Sequence, residues 1–255
     1  MGKTVYTENF YALQRADSYS SAKKILPIVQ DYVSYNSVID IGCGVGTWLR
    51  ACRELTQGDL CGVDGAYVNV DQIEIPEDCF HPWDISTPLE ILDRKFDLTI
   101  SVEVAEHIDR SKVDIYIYNI TRFSDIILFS AAIPYQAGIH HVNEQWPSYW
   151  TAKFAGAGYI PVDCLRGRIW NDREIEVHYR QNIMFYVRET ALNRYPALQD
   201  EIGKGKSVVM DLVHPELYTL SGAGLKKWRT RFMHLLGCLP SAFKKTFKKR
   251  FFRKS

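Results

Sequence analysis

A run of polar and aromatic side chains near the middle of the chain has the composition of a catalytic site. The stretch PYQAGIHHVNEQWPSYW, residues 134–150, contains two adjacent histidines, His140 and His141. An imidazole that is neutral near pH 7 can take a proton from a hydroxyl group. Amide, carboxylate and aromatic groups of this kind suit a sugar, which presents hydroxyls and C–H faces. The predicted substrate-binding residues are Asn143, Glu144, Trp146 and Tyr149.

Two other interpretations of this stretch stay open. In the first, Asn143 caps a helix predicted over 143–158 and the aromatic residues belong to the core. In the second, His140, His141 and Glu144 chelate a metal ion. Adjacent histidines often point apart, and the sequence shows no second cluster of metal-ligating residues. We therefore predict that the protein has no metal site.

A second stretch, SVIDIGCGVGTWLRAC at residues 37–52, has the pattern of a ligand-binding loop. A β-branched run reaches the acidic Asp40, glycines follow at every second position, and an apolar helical pattern then begins. The glycines are Gly42, Gly44 and Gly46. They permit positive φ angles and let a ligand approach the backbone, while the amides at the start of the helix face that ligand.

The spacing of these glycines excludes two common phosphate-binding loops. A dinucleotide fold needs a glycine at position 47, where this chain has Thr47. The G-K-[ST] signature of a P-loop is absent. Because Asp40 would repel a phosphate, the loop suits a cationic ligand better.

Strand and helix patterns alternate around these residues. Five strand patterns are followed by a pair that predicts a hairpin with a long connection. They cover 37–42, 59–65, 78–86, 96–104, 125–134, 159–166 and 181–189. Strands separated by helices predict a mostly parallel sheet with helices on both faces. The helical pattern before the first strand contains Pro27, which predicts a first turn or a kink there. Ligands of such sheets bind at the carboxyl ends of the strands.

Four motifs in order resemble the class I S-adenosylmethionine-dependent methyltransferases. The glycine segment VIDIGCGVG resembles the first motif of that family. Asp64 in GVDG stands where the family has an acid that binds both ribose hydroxyls, and Asp84 in WDIS stands where an acid or amide lies beside the adenine amine. SVEVAEHI resembles the E-x-x-E-H segment of the branches that modify glycans and small molecules. The resemblance covers roughly residues 37–188.

The resemblance implies a fold, a cofactor and a set of site residues. The fold is an α/β, Rossmann-like, seven-stranded and mostly parallel sheet with helices on both faces, here with a helical C-terminal extension. The cofactor is S-adenosyl-L-methionine, and its predicted binding residues are Asp40, Gly42, Cys43, Gly44, Gly46, Asp64, Asp84, Ile85 and Ser101. Glu103 and His107 join His140 and His141 as candidate catalytic residues.

Charge is distributed unevenly along the chain. Eleven of the 31 basic residues and none of the 30 acidic residues lie in 225–255. Apolar residues recur there at helical spacing, with lysines and arginines between them, which is typical of an interfacial helix on an anionic membrane. A protein partner is the alternative. The acidic body argues against nucleic acid, and six cysteines without a CxxC pair fit a reducing compartment.

These patterns predict three regions: an N-terminal helical segment over the cofactor site at 1–36, a methyltransferase core at 37–189, and a helical extension with the basic tail at 190–255. The predicted location is the cytoplasm, peripheral at the inner face of the cell membrane. We predict that the protein is an O-methyltransferase that acts on a sugar hydroxyl of a lipid-linked or cell-surface polysaccharide. The alternatives are a methyltransferase of a lipophilic small molecule such as a quinone precursor, and a non-catalytic cofactor-binding membrane adaptor. The acceptor and the oligomeric state stay open.

Overall fold

The structure is a computed structural model of the 255-residue chain. It describes residues 8–90, 92–136, 138–204 and 209–220, with side chains from residue 16 onward. The chain divides into two compact units, 1–214 and 215–255. The predicted basic tail, 225–255, lies outside the described residues, and the predicted division into three regions stays a prediction. Within the described ranges, no helix is long and apolar enough to cross a membrane.

A seven-stranded sheet forms the centre of the first unit. The strands are β1 (Ser37–Ile41), β2 (Asp59–Asp64), β3 (Phe80–Pro82), β4 (Leu98–Val102), β5 (Ile126–Ser130), β6 (Tyr159–Val162) and β7 (Met184–Arg188). Their order in the sheet is β3-β2-β1-β4-β5-β7-β6. The strands from β3 to β5 pair in parallel, and β7 runs antiparallel to both β5 and β6. The predicted mostly parallel sheet and its late hairpin are confirmed.

Helices cover both faces of the sheet. In the first unit they are α1 (Glu8–Gln30), α2 (Thr47–Leu55), α3 (Val113–Thr121), α4 (Pro147–Gly156), α5 (Arg166–Ile169), α6 (Val177–Asn182) and α7 (Pro196–Gly203); α8 (Pro215–Leu220) belongs to the second unit. Helix α1 continues through Pro27. The prediction of a helix over 143–158 was wrong at its start, because the observed helix α4 begins at Pro147. Proline is favoured in a first helical turn, where its missing N–H would have had no partner in any case. Asn143 therefore does not cap it.

Alternating side chains of the strands build two hydrophobic cores, one on each face of the sheet. Val38 of β1 and Leu60 of β2 point into the core that α1 and α2 cover. Ile39 of β1 and Cys61 of β2 point into the core that α3 and α4 cover. A strand that is buried on both faces has few side chains free for solvent. Loops at the strand ends must therefore supply any site.

One buried side chain, Asn119 of α3, fixes the loop that follows β3. Its Oδ1 accepts from the backbone N–H of Leu89 at 2.8 Å, and its Nδ2 donates to the carbonyls of Ile85 at 2.9 Å and Thr87 at 2.8 Å. Asn119 is fully buried. This residue holds in place the loop that lines the cleft described below.

We expect Asn119→Ala to lower the free energy of unfolding by about 2–4 kcal/mol, because three bonds are lost and buried backbone groups are left unpaired. Urea unfolding followed by circular dichroism measures the loss. Asn69→Ala is the matched control, since the exposed Asn69 makes one bond to the N–H of Asp71 at 3.1 Å and should cost no more than about 1 kcal/mol. Equal losses in the two variants would contradict this role.

Candidate active site

A cleft of about 1110 Å³ opens at the carboxyl ends of the parallel strands. Its lining residues follow four strands in turn: Gly42 and Gly44 after β1, residues 64–67 after β2, residues 82–87 after β3, and residues between 103 and 112 after β4. The cleft therefore lies where an open parallel sheet binds its ligands. Five of the predicted cofactor-binding residues line it: Gly42, Gly44, Asp64, Asp84 and Ile85.

The glycine loop bends sharply around one end of the cleft. Gly42, Gly44 and Gly46 have φ angles of 87°, 54° and 87°, in the left-handed region that favours glycine. A Cβ on Gly42 would lie 2.5 Å from the side chain of Val104. The loop thus needs glycine at this position for both its backbone conformation and its packing.

Asp64 presents a carboxylate beside the glycine loop. It is buried, and its two oxygens accept from the backbone N–H of Gly44 at 2.7 Å and of Gly65 at 2.6 Å. The hydroxyl of Tyr67 donates to the same carboxylate. A carboxylate has about four acceptor positions. A ligand with two adjacent hydroxyls therefore fits Asp64 once Tyr67 gives up its bond.

The other predicted cofactor-binding residues differ in burial and in whether they line the cleft. Asp84 is exposed and accepts from the N–H and hydroxyl of Ser86, bonds that lower the pKa of Asp84. Ser101 is buried, donates to the carbonyl of Ile41 at 2.5 Å and pairs with the hydroxyl of Tyr116 at 2.6 Å. Asp40, Cys43, Gly46 and Ser101 are not among the residues that line the cleft.

Asp40 is a buried carboxyl group behind the loop. Burial first, and then the nearby Asp64, raise the pKa of Asp40 well above its usual 3.8. The folded chain therefore holds a proton on Asp40 at pH values where the unfolded chain has lost it. Stability contributed by this group falls as pH rises above the unfolded pKa, until the folded pKa is passed.

We expect Asp40→Asn to remove this pH dependence, because an amide does not titrate. Each pH unit within the window changes stability by at most about 1.4 kcal/mol, or roughly 3–6 °C in Tm for a domain of this size. Melting curves at pH 5 and pH 8 should therefore show a smaller fall in Tm for the variant than for the natural chain. The same fall in both proteins would show that Asp40 is ionised in the folded state.

Beside the cleft, acids and imidazoles gather in what we call the Glu–His cluster: Glu103, Glu106, His107 and His141. Glu103 and His107 line the cleft. The rings of His107 and His141 have centroids 4.9 Å apart, and the Nε2 of His141 lies 3.9 Å from a carboxylate oxygen of Glu106. The fold thus joins the segment after β4 to the loop after β5.

An outer layer of polar groups orients this cluster. Glu103 accepts from Gln136 at 2.8 Å and from Asn182 at 3.2 Å. Nδ1 of His141 lies 3.0 Å from Glu144, and Nδ1 of His107 lies 3.3 Å from the carbonyl oxygen of His140. Glu103, His107 and His141 are therefore each held by a further polar group.

Burial shifts the pKa values of two members of the Glu–His cluster. Desolvation, followed by the nearby charge of Glu103, raises the pKa of Glu106 well above its usual range. Desolvation, followed by the neighbouring His141, lowers the pKa of His107. His107 is thus neutral near pH 7, which is the form that can accept a proton.

Strained backbone surrounds the Glu–His cluster. Among the described residues, the three that are not glycine and have a positive φ are Glu103 at 54°, Tyr135 at 70° and His140 at 59°. All three belong to the cluster or to the loop beside it. Such conformations persist only where the surroundings enforce them, and they are frequent at active sites.

The predicted substrate-binding residues lie on the loop after β5 and at the start of α4, and none of them is among the residues lining the cleft. Asn143 is buried and accepts from Gln145 at 3.0 Å. Glu144 holds His141. Trp146 is partly exposed, and Tyr149 packs its ring edge against Trp150. His140 has an exposed side chain and contributes its carbonyl oxygen.

Sequence reasoning missed three residues of this site. Glu106 stood in the E-x-x-E-H segment, so its spacing from Glu103 was a signal. Gln136 and Asn182, which hold Glu103, had no signal, because they come from the loop after β5 and from the end of α6. Only the fold brings them to the segment after β4.

The strand order, the reversed β7 and the cleft at the carboxyl ends of the strands together define a Rossmann-like methyltransferase fold. Residues 11–121 match the family model described as "Methyltransferase domain". That stretch is therefore similar to a methyltransferase domain, a class whose cofactor is S-adenosylmethionine. The predicted fold and cofactor are thereby confirmed.

Solved structures share this fold at low sequence identity. The magnesium protoporphyrin IX methyltransferase (ChlM) of Synechocystis PCC 6803, solved with bound SAH, is 15% identical, with 74% of this chain and 90% of that chain covered and a TM-score of 0.51. The putative methyltransferase of Haloferax volcanii, solved in complex with the Trm112 methyltransferase activator, is 15% identical, with 71% and 94% covered and a TM-score of 0.52.

A curated relative matches a shorter stretch. The ribosomal RNA large subunit methyltransferase E of Methanocorpusculum labreanum is 33% identical over 69 residues, which is 25% of this chain and 34% of that protein. The chain thus spans about a third of the length of the relative it matches.

Proposed function

We propose that this chain is an S-adenosylmethionine-dependent O-methyltransferase. One observation carries the proposal: a single cleft is lined both by Asp64, a carboxylate suited to a ribose, and by Glu103 and His107 of the Glu–His cluster. A methyltransferase must bind its cofactor, align the acceptor and remove a proton. Asp64 has the chemistry to bind the cofactor, and Glu103 and His107 have the chemistry to remove the proton.

The chain's residues divide the work. Gly42 and Gly44 let the cofactor approach the backbone, and Asp64 accepts hydrogen bonds from its ribose. Bound S-adenosylmethionine would supply an electrophilic sulfonium methyl group for in-line attack by an oxygen nucleophile, with the S–CH₃ electron pair left on sulfur. His107, His141 or Glu103 accepts the proton that the hydroxyl loses. His140 is a further candidate base, and its contact with the Glu–His cluster is through its carbonyl oxygen.

We propose a sugar hydroxyl of a lipid-linked or cell-surface polysaccharide as the acceptor. Carboxylates and imidazoles at the acceptor end suit a hydroxyl, and Trp146 and Tyr149 suit the C–H face of a sugar. The basic, amphipathic pattern of 225–255 would hold the enzyme at an anionic membrane surface, where lipid-linked acceptors lie.

A second acceptor class, a lipophilic small molecule such as a quinone precursor, is favoured by a different observation. The loop after β5 exposes four large apolar side chains close to the Glu–His cluster: Tyr135, Ile139, Val142 and Trp146. Large apolar side chains exposed on one loop offer surface for an apolar ligand. This loop could receive an apolar ring as well as a sugar.

A transfer assay with methyl-labelled S-adenosylmethionine tests the proposal and separates the acceptors. The full chain and a truncation ending at residue 224 are offered matched extracts of lipid-linked glycans and of lipids alone. Label in the glycan fraction that weakens on truncation supports the glycan acceptor and the membrane role. Label in the lipid fraction alone supports the lipophilic acceptor. Cofactor binding without label in either fraction would contradict methyl transfer.

A further inference from the structure

We propose that Glu106, His107 and His141 form a binding site for a divalent transition-metal cation. One potential ligand atom from each of the three residues lies within 4.8 Å of the other two. Two imidazole nitrogens and one carboxylate oxygen are a common ligand set for such ions. The sequence led to a prediction of no metal site, because the ligands considered, His140, His141 and Glu144, all belong to one loop. The site proposed here combines residues from two loops.

The outer contacts of both histidines match those of metal ligands. A histidine that binds a metal usually donates its other ring N–H to a carboxylate or a backbone carbonyl. Nδ1 of His141 lies 3.0 Å from Glu144, and Nδ1 of His107 lies 3.3 Å from the carbonyl oxygen of His140. With Nδ1 protonated in each ring, both Nε2 lone pairs are left available.

Glu106 provides an independent observation. The residue is 1% exposed, and its Oε2 has no hydrogen-bond partner among the described residues. A buried carboxyl oxygen without a partner is costly. A cation held between this carboxylate and the two imidazoles would offset the cost of burying Glu106.

Gly138 leaves space beside His141. A Cβ at this position would lie 2.1 Å from the Nε2 of His141, the nitrogen that faces Glu106. Any larger residue would press on the proposed ligand atom. Glycine at this position thus lets the loop after β5 pack closely against the ring of His141.

The catalytic role of this cation rests on the proposed function, whereas the binding of the cation does not. A cation at the acceptor end would bind the acceptor oxygen and lower the pKa of the hydroxyl. His107 and His141 would then be ligands. The hydroxyl proton would pass to Glu103, which lines the cleft and is held by Gln136 and Asn182.

Manganese(II) is a suitable probe, because electron paramagnetic resonance separates free from bound Mn²⁺. The full chain is titrated with Mn²⁺ without cofactor or acceptor, and Zn²⁺ is then added as a competitor. We expect one Mn²⁺ per chain, displaced by Zn²⁺. We expect Glu106→Gln and His141→Ala to bind at least about 100-fold more weakly, and Glu144→Gln, which alters only an outer contact, roughly 10–100-fold more weakly.

His178→Ala is the matched control. His178 also has a glutamate nearby, with its Nδ1 3.8 Å from Glu176, and lies outside the Glu–His cluster. This variant should bind Mn²⁺ as the natural chain does. Calorimetric titration with S-adenosylmethionine checks that each variant is folded.

No binding of Mn²⁺ or Zn²⁺ by the natural chain would overturn the inference, as would equal binding by all four variants. Because this titration contains no acceptor, its failure leaves the methyl-transfer proposal intact. Conversely, a chain that binds Mn²⁺ at this site and transfers no methyl group would contradict the proposed function alone.

Discussion

Asp64→Asn should weaken the binding of S-adenosylmethionine by about 100-fold or more. Hydrogen bonds to a charged carboxylate contribute about 1.5–3 kcal/mol each, and 1.4 kcal/mol corresponds to a factor of ten. The amide keeps the size of the side chain, yet it has one acceptor oxygen and turns an N–H₂ group toward the donors that Asp64 now serves. The loss should therefore fall on the equilibrium constant, which calorimetric titration measures.

Two further variants separate this effect from damage to the fold. Asp59→Asn, at the exposed start of the same strand, changes a carboxylate that pairs with Arg94 at 3.2 Å and should leave cofactor affinity unchanged. Tyr67→Phe removes the hydroxyl that donates to Asp64 and should bind the cofactor at least as tightly as the natural chain. A folded Asp64→Asn variant with undiminished affinity would show that the ribose binds elsewhere.

Local sequence patterns were sufficient for most of the fold. A short apolar run with β-branched residues, such as 37–41, is typical of a buried strand. The glycines that follow it are typical of a turn with left-handed backbone. The start of α4 was wrong because Asn143 resembles a helix cap, whereas Pro147 is suited to a first helical turn. Boundaries of this kind depend on competing signals of similar strength.

The site was only partly accessible from the sequence. Asp64 and the glycine loop lie within 25 residues of one another, so their proximity followed from a single strand–helix–strand unit. The Glu–His cluster requires β5 to pair beside β4, which brings His141 to Glu106 across 35 positions of sequence. Asn182 reaches the same place only after β7 has inserted beside β5. Long-range packing of this kind leaves no mark on spacing.

The two adjacent histidines show the same difference between pattern and packing. From the sequence, His140 and His141 were equivalent candidates. In the structure the side chain of His140 is exposed, while the side chain of His141 is 12% exposed and lies between Glu106 and Glu144. His140 has a left-handed backbone, with φ at 59°, and its carbonyl oxygen faces His107. The backbone of one histidine therefore supports the cluster, and the ring of the other belongs to it.

We therefore expect His141→Ala to lower kcat by about 100-fold or more, because the variant loses a ring that accepts the reacting proton or holds the proposed cation. The adjacent variant, His140→Ala, should lower kcat by less than about threefold, because truncating an exposed side chain leaves the backbone carbonyl in place. Both variants should bind S-adenosylmethionine like the natural chain, since neither residue lines the cofactor end of the cleft. Single-turnover rates with labelled cofactor measure the comparison. A loss of about 100-fold in His140→Ala as well would assign a catalytic role to the exposed imidazole of His140. It would then contradict the view that His141 alone of the two histidines acts in the reaction.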